Sequence, residues 1–224
     1  MFGKRINLFT LFGFRVRIDI SWLILGVLIT WTLATGVFPD KYEKLSSSVY
    51  WVMGAAGAVV IFVSIVFHEM WHSLIARKYG MPMKGITLFI FGGIAEMHEE
   101  PPSAKAEFMM AAAGPLSSIV LGLVMVAVAE GFRGVLSTPV YGVLNYMWTI
   151  NFILAGFNLV PAFPLDGGRV LRSTLWAWKD DLRAATRIAY KIGSGFGTVL
   201  IILGVFSALA GSIVMGIWWV LIGL

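Results

Sequence analysis

The chain contains no cysteine among its 224 residues, and only 13% of its residues are charged. Without cysteine it can form neither a disulfide framework nor a thiolate metal site, so histidine, aspartate or glutamate must bind any metal ion. A soluble domain carries about 25% charged residues. Because 58% of the residues are hydrophobic, a water-soluble globule of this size could not bury them. These figures exclude an ordinary soluble domain, a disordered chain and a nucleic-acid-binding module.

Long apolar runs predict membrane-spanning helices. A helix needs about 20 apolar residues to cross the hydrocarbon core. The last apolar run is short for a span and the chain stops within it, so we expect an incomplete final span and a longer protein. The predicted spans are residues 18–38, 49–76, 108–129, 140–160, 188–210 and 213–224.

The remaining segments predict a small amount of β-structure. The alternation Arg15-Val16-Arg17-Ile18 indicates a short strand or interfacial segment, and residues 86–95 are too short to span and predict a hairpin. We therefore expect an all-α polytopic membrane protein with about six transmembrane helices and a small β-hairpin or sheet at the membrane edge. No repeat or soluble domain is visible, so residues 1–224 are expected to form a single membrane core.

The basic residues predict the orientation of the spans. Of the 17 lysines and arginines, all but Lys41, Lys44 and Arg133 lie on the same side as the N-terminus. Because positive charge marks the cytoplasmic side, we expect a multi-pass cell-membrane protein with a cytoplasmic N-terminus. No small-residue cleavage site follows the first span, so we do not expect the N-terminus to be a cleavable signal peptide.

A metal-binding motif ends the second predicted span. It reads His68-Glu69-Met70-Trp71-His72, and residues four apart share one face of a helix, so both histidines can bind one ion. Zinc lowers the pKa of a bound water, and Glu69 can take the proton of that water. Two of the chain's three histidines lie here. Since ionisable groups inside a span are costly, a chance match or purely structural histidines are the weaker interpretation.

The position of the motif predicts a site inside the bilayer. From His68 to Arg77 the helix rises about 14 Å, which places the ion off-centre toward the cytoplasm. Trp71 is expected to face away from the ion, toward lipid or a neighbouring helix.

A catalytic zinc ion usually has three protein ligands, so a third ligand is required. Glu130 lies on the wrong side, and the charges from 96 to 107 are interpreted as a solvated loop cluster. Asp166 follows the fourth span on the same half as the histidines, in an irregular segment with two prolines. The competing interpretation makes Asp166 only the cap of a helix. The candidates for the third ligand are Glu96, His98, Glu99, Glu100, Glu107, Glu130 and Asp166.

These residues resemble the site-2 protease family of intramembrane zinc metalloproteases. The HExxH motif ends one span, and Asn158-x-x-Pro161-x-x-Pro164-Leu-Asp166-Gly-Gly follows two spans later. Phe91-Gly92-Gly93 and the Ala113-Gly114-Pro115 element also match. The resemblance covers essentially the whole chain. No PDZ-like insertion or CBS domain is visible.

The resemblance implies specific roles. His68, His72 and Asp166 would bind one catalytic Zn²⁺, Glu69 would be the acid/base, and Asn158 would help hold the substrate or its oxyanion. The substrates would be transmembrane segments of other proteins in the lipid bilayer. The oligomeric state is not indicated.

Residues 86–95 carry a further hypothesis about substrate binding. A helical substrate must unwind before its peptide bonds can be attacked, and an exposed strand edge near Phe91, Gly92 and Gly93 could pair with the unwound segment. An internal sheet without a substrate role is the alternative.

Two other functions remain open on residues alone. One is a membrane zinc protease acting on substrates at the cytoplasmic side, and the other is a metal transporter or sensor without enzymatic activity. A transporter should have polar residues along several spans and has no need of Glu69.

Overall fold

The computed structural model describes residues 5–81, 83–89, 92–97 and 100–223 of the chain. Within these residues, five helical segments are long and apolar enough to cross a membrane. Two shorter helices, Asp166–Lys179 and Ile213–Gly223, and one small sheet complete the described part of the fold. The predicted fold class, a mainly helical membrane protein with a small sheet, is confirmed.

The elements follow one another in a simple order. They are β1 (Arg5–Leu11), β2 (Phe14–Asp19), α1 (Ile20–Thr32), a π-helical turn (Leu33–Val37), α2 (Phe38–Lys41), α3 (Ser47–Lys78), β3 (Met83–Phe89), β4 (Gly92–Met97), α4 (Ala104–Gly131), α5 (Thr138–Asn158), α6 (Asp166–Lys179), α7 (Leu182–Leu209) and α8 (Ile213–Gly223).

The five long spans agree with the sequence prediction, although several helices extend beyond their apolar runs. In α3, the side chain of Ser46 accepts a hydrogen bond from Val49 N, and Arg77 and Lys78 occupy the last turn. A capping serine and terminal cations stabilise a helix by satisfying free N–H groups and by favourable interaction with its dipole. The polar ends therefore continue the helix past the apolar run.

The strands form one mixed sheet in the order β1-β2-β3-β4. Strands β1 and β2 are antiparallel, β2 and β3 are parallel, and β3 and β4 are antiparallel. The predicted strand around Arg15 is β2, and the predicted hairpin is the β3–β4 pair. The sheet is larger than expected because β1 adds a fourth strand. Among the described strands, β4 occupies an edge.

The chain divides into two compact units. The first unit comprises Met1–Pro102 and Ala113–Gly156, and the second comprises Ser103–Ala112 and Phe157–Leu224. In the first unit, the sheet packs against α1 and α3 through a buried apolar cluster. The expectation of a single core stays a prediction.

In the second unit, α7 packs against both α6 and α8. Helix α8 is the predicted sixth span and has only 11 residues. A Cβ on Gly216 would lie 2.6 Å from Gly204 O, and a Cβ on Gly197 would lie 2.5 Å from Gly223 O. These glycines let α7 and α8 approach closely, as small residues do in membrane helix pairs.

Candidate metal centre

Helix α3 separates the metal-binding histidines from the packing residues of the same motif. Residues two apart point about 200° away from each other around a helix. Val66 and Met70 are buried in the apolar cluster with the sheet. His68 and His72 therefore lie on the opposite face of α3, where both are buried. The sheet thus supports the back of the helix that carries the histidines.

The two imidazole rings converge through their Nε2 atoms, which are 3.1 Å apart. Two nitrogens bound to one tetrahedral zinc ion, each at about 2.0–2.1 Å, are about 3.3 Å apart. The histidine pair therefore fits a zinc ion shared between the Nε2 atoms.

Helix α4 supplies two residues that lie against the histidines. His68 Nδ1 lies 3.0 Å from Ser118 Oγ, and Ser118 is fully buried. When Nε2 binds a metal, Nδ1 carries the hydrogen and donates it to the hydroxyl, which orients the ring. A Cβ on Gly114 would lie 2.6 Å from His68 Nε2 and closer still to His72 Nε2. Glycine at this position leaves the ligand atoms accessible.

Trp71, which is expected to face away from the ion, is partly exposed. Its side chain is 39% exposed, and its ring contacts Phe67 edge-on with centroids 6.2 Å apart. Glu69 is half-buried on the same helix.

Asp166 begins α6 in the second unit. The preceding segment, 159–165, consists of turns, and it contains the two prolines of the sequence motif. Leu165 is the N-cap of α6 and makes no side-chain capping bond. Asp166 is thus the first residue of the helix rather than its cap. Its neighbour in the motif, Asn158, is the last residue of α5 and is half-buried.

Two glycines after Asp166 allow this turn segment to lie directly on the start of α6. A Cβ on Gly168 would lie 2.7 Å from Ala162 C and 2.8 Å from Phe163 N. A Cβ on Gly167 would overlap the carbonyl oxygens of Leu159 and Val160. The glycine pair is therefore required by packing of backbone against backbone.

Three described residues have side chains of the kind that bind a catalytic metal ion. His68 and His72 each offer one imidazole nitrogen, and Asp166 offers one carboxylate oxygen. Two nitrogens and one oxygen are a donor set that catalytic zinc uses.

Two of the three predicted substrate-binding residues, Gly92 and Gly93, begin strand β4. Gly93 pairs with Leu88, and Gly92 pairs with Phe89, at the beginning of the edge strand β4. Phe91 lies outside the described residues. The two glycines accordingly belong to the edge strand on which the substrate hypothesis depends.

The interpretation of Glu107 as part of a solvated cluster was wrong. Glu107 lies in the first turn of α4 and is fully buried. Its Oε1 accepts hydrogen bonds from Nε of Arg172, at 2.9 Å, and from Nη2 of Arg172. A partner 65 residues away neutralises the carboxylate, and no local sequence pattern could have identified it.

The sequence analysis also missed a buried polar contact between α3 and α5. Asn151 Nδ2 donates to Ser64 Oγ at 2.8 Å and to Met147 O at 2.8 Å. Both side chains are buried, and Ser64 is one helical turn before His68. The polarity of Asn151 within an apolar span was the available signal.

Comparison with known proteins identifies the family. The model of peptidase family M50 matches residues 56–141 and 133–202, which include the histidine motif, Asn158 and Asp166. The chain belongs to peptidase family M50. The chain is also similar to a solved structure, the site-2 protease from Methanocaldococcus jannaschii, with 30% sequence identity and a TM-score of 0.63. The match covers 97% of this chain and 93% of that one.

Curated relatives are described as zinc metalloproteases. Rip3 of Mycobacterium tuberculosis, provisionally described as a zinc metalloprotease, is 38% identical over 94% of this chain and 54% of its own length. Zinc metalloprotease MJ0392 of Methanocaldococcus jannaschii is 33% identical over 90% of this chain and 54% of its own. The chain thus spans little more than half the length of these relatives. Together with its apolar helices, M50 membership makes it a multi-pass membrane protein.

Proposed function

We propose that this chain is the membrane core of a zinc metalloendopeptidase that hydrolyses peptide bonds in transmembrane segments of other proteins. The observation that carries the proposal is the buried His68–His72 pair. Its Nε2 atoms are 3.1 Å apart on a helix long enough to span a membrane. Membership of peptidase family M50 supports a peptidase over a transporter or sensor.

The proposed metal ligands are His68, His72 and Asp166. Three points support this set: the distance between the two Nε2 atoms, the glycine at position 114 and the donor chemistry of two imidazoles and one carboxylate. Three protein ligands leave a fourth coordination position for water or substrate, as in other catalytic zinc sites. We propose one zinc ion for each chain.

In the proposed reaction, Glu69 and Asn158 act on the scissile peptide. A bound zinc ion supplies Lewis-acid activation of water and of the peptide carbonyl. Glu69 takes the proton from the attacking water and gives it to the leaving amine. Asn158 donates a hydrogen bond through its side-chain amide to the oxyanion that develops on the carbonyl.

The proposed substrate enters as an unwound transmembrane segment. The peptide bonds of a helix are protected by internal hydrogen bonds, so the segment must lose its helical structure before attack. The edge position of β4 supports pairing of the unwound segment with the backbone of Gly92 and Gly93. Phe91 completes this proposed binding segment.

The proposed orientation has the N-terminus in the cytoplasm and the metal site in the cytoplasmic half of the bilayer. It rests on the distribution of the 17 basic residues and on the place of His68 nine residues before Arg77. Water would reach the site from that side.

Replacement of Glu69 by Gln tests the function. The variant should keep zinc, because Glu69 is not a proposed ligand, and should lose cleavage of a transmembrane reporter by about 10²–10⁴-fold. Zinc is measured by elemental analysis of purified protein, and cleavage is measured in proteoliposomes with and without a chelator. Glu43→Gln, in an exposed turn, is the matched control and should change neither quantity.

Three outcomes contradict the proposal. Absence of zinc from the purified wild-type protein contradicts the metal site. Full cleavage by Glu69→Gln contradicts the catalytic role. Faster cleavage of unstructured soluble casein than of the transmembrane reporter contradicts the substrate class and favours a protease of cytoplasmic-side substrates.

A further inference from the structure

The second unit contains a buried ion pair that the proposed reaction does not use. Glu107 of α4 is fully buried, and the Arg172 side chain of α6 is only 18% exposed. Both guanidinium hydrogen bonds end on Oε1, while Oε2 has no hydrogen-bond partner among the described residues. Burial of charge is costly unless it is compensated, so such a pair requires a specific explanation.

Arg172 also contacts the turn segment that precedes Asp166. Its Cζ lies 5.5 Å from the centre of the Phe163 ring, a cation–π contact. Phe163 is three residues before Asp166 in the chain. One guanidinium group therefore joins the first turn of α4, the middle of α6 and the turn segment.

The turn segment is held from two other directions as well. Its backbone around Ala162 and Phe163 lies against Gly168 of α6, and a Cβ on Gly193 of α7 would lie 3.2 Å from Ala162 Cα. Leu165 N donates to Ala162 O at 2.9 Å, which closes the turn just before Asp166. With its backbone packed on both helices, the segment has little freedom apart from movement of α6 itself.

We propose that Glu107 and Arg172 are positioning residues for Asp166. Arg172 pairs with the buried carboxylate of α4 and so holds α6 and Phe163 in one arrangement. This arrangement fixes the direction of the chain at Asp166, where the turn segment ends and α6 begins. A planar guanidinium with donors at Nε and Nη2 suits this role because it holds the carboxylate and the aromatic ring at once. The inference rests on the proposed function, in which Asp166 is a zinc ligand.

The test is a double-mutant cycle in zinc affinity. Glu107→Gln should weaken zinc binding by about 10–100-fold, as loss of outer supporting groups does in other zinc sites. In an Asp166→Asn background, the same Glu107→Gln change should have almost no further effect, because it acts through Asp166. Zinc dissociation constants of the full chain in nanodiscs are measured by competition with a chelator.

The chain offers a matched control for loss of an ion pair. Glu130 accepts a hydrogen bond from Arg133 on the surface, with side chains 49% and 68% exposed. Glu130→Gln removes a carboxylate from an ion pair in the same helix, and it should leave zinc affinity unchanged.

A second variant keeps the proposal testable if Glu107→Gln fails to fold. Arg172→Lys retains the buried positive charge but lacks Nε and the planar face over Phe163. It should weaken zinc binding, and this loss should also disappear in the Asp166→Asn background.

The outcomes separate this inference from the proposed function. Equal losses in the presence and absence of Asp166, or no loss with either variant, overturn the positioning role while the zinc site stands. Failure of the wild-type chain to bind zinc, or no loss of affinity in Asp166→Asn alone, overturns the proposed metal site and this inference with it.

Discussion

At the residue scale, the candidate metal centre depends on two small residues of α4 as much as on the histidines of α3. Gly114 provides the space beside the two Nε2 atoms, and Ser118 contacts Nδ1 of His68. Neither residue is a metal ligand. Gly114 affects the ligands sterically, and Ser118 affects the orientation of His68. Each effect can be measured separately.

We expect Gly114→Ala to abolish zinc binding. The new Cβ would lie 2.6 Å from His68 Nε2, so the imidazoles would have to move from the geometry that one ion requires. Zinc content after purification provides the measurement. Gly131→Ala in the same helix is the control, because its Cβ would have nothing within 4 Å, and it should retain zinc. Normal zinc content in Gly114→Ala would contradict the steric argument.

Ser118→Ala should weaken zinc binding by about 10–100-fold without loss of the fold. The change removes the hydroxyl at 3.0 Å from Nδ1 and leaves the imidazole without its acceptor. Ser117→Ala is a matched control in the same helix, since the Ser117 hydroxyl donates to Gly114 O and contacts neither histidine in the described hydrogen bonds. Chelator competition should therefore distinguish the two alanine variants, and equal affinities would exclude the orienting role.

At the element scale, α3 has different partners on two opposite faces. One face packs on the sheet through Val66 and Met70, and the other carries His68 and His72 together with Ser64, which contacts Asn151 of α5. Because the two faces have different partners, the rotation of α3 about its axis is specified from both sides. The sheet and α5 thereby set the direction of the histidines.

Asn151→Ala tests the contact between α3 and α5. Loss of the hydrogen bond to Ser64 should give a coupling free energy of about 0.6 kcal/mol in a cycle with Ser64→Ala, with about 1.7 kcal/mol as an upper value for such contacts in membranes. Reversible unfolding in mixed detergent micelles provides the measurement. Thr149→Ala, which removes a bond within α5 itself, should show no coupling with Ser64→Ala. A coupling energy near zero for Asn151 would refute the contact.

At the scale of the whole molecule, the absence of cysteine and the scarcity of charge make the topology directly testable. The basic residues predict that the α6–α7 connection is cytoplasmic and that the α4–α5 connection is on the other side. Lys179 and Val135 are exposed positions in or beside these connections. Single cysteines placed there have no native thiol competing for the label.

We expect Lys179→Cys and Val135→Cys to react from opposite sides of the membrane. In inside-out vesicles, a membrane-impermeant maleimide should label Lys179→Cys. In cells whose outer barrier is permeabilised but whose cell membrane is intact, the same reagent should label Val135→Cys. The unsubstituted chain is the control and should not react at all. Labelling of both positions from one side would contradict the proposed orientation.

The sequence by itself determined the class of the protein, its five long spans, the histidine motif, the strand around Arg15 and the hairpin in residues 86–95. These features are local: an apolar run of sufficient length must be helical in a bilayer, and residues four apart share a helical face wherever the helix packs.

Only the tertiary structure decided what surrounds these features. The burial of Glu107 against Arg172, the bond between Asn151 and Ser64, and the closeness of Gly114 to the imidazoles join residues far apart in the chain. Glu107 illustrates the reason. A carboxylate that lies beside other charges in the sequence is usually exposed to water. Glu107 is instead buried, because the packing of the helices holds a distant arginine against it. Such a partner is set by three-dimensional packing, which local sequence patterns do not encode.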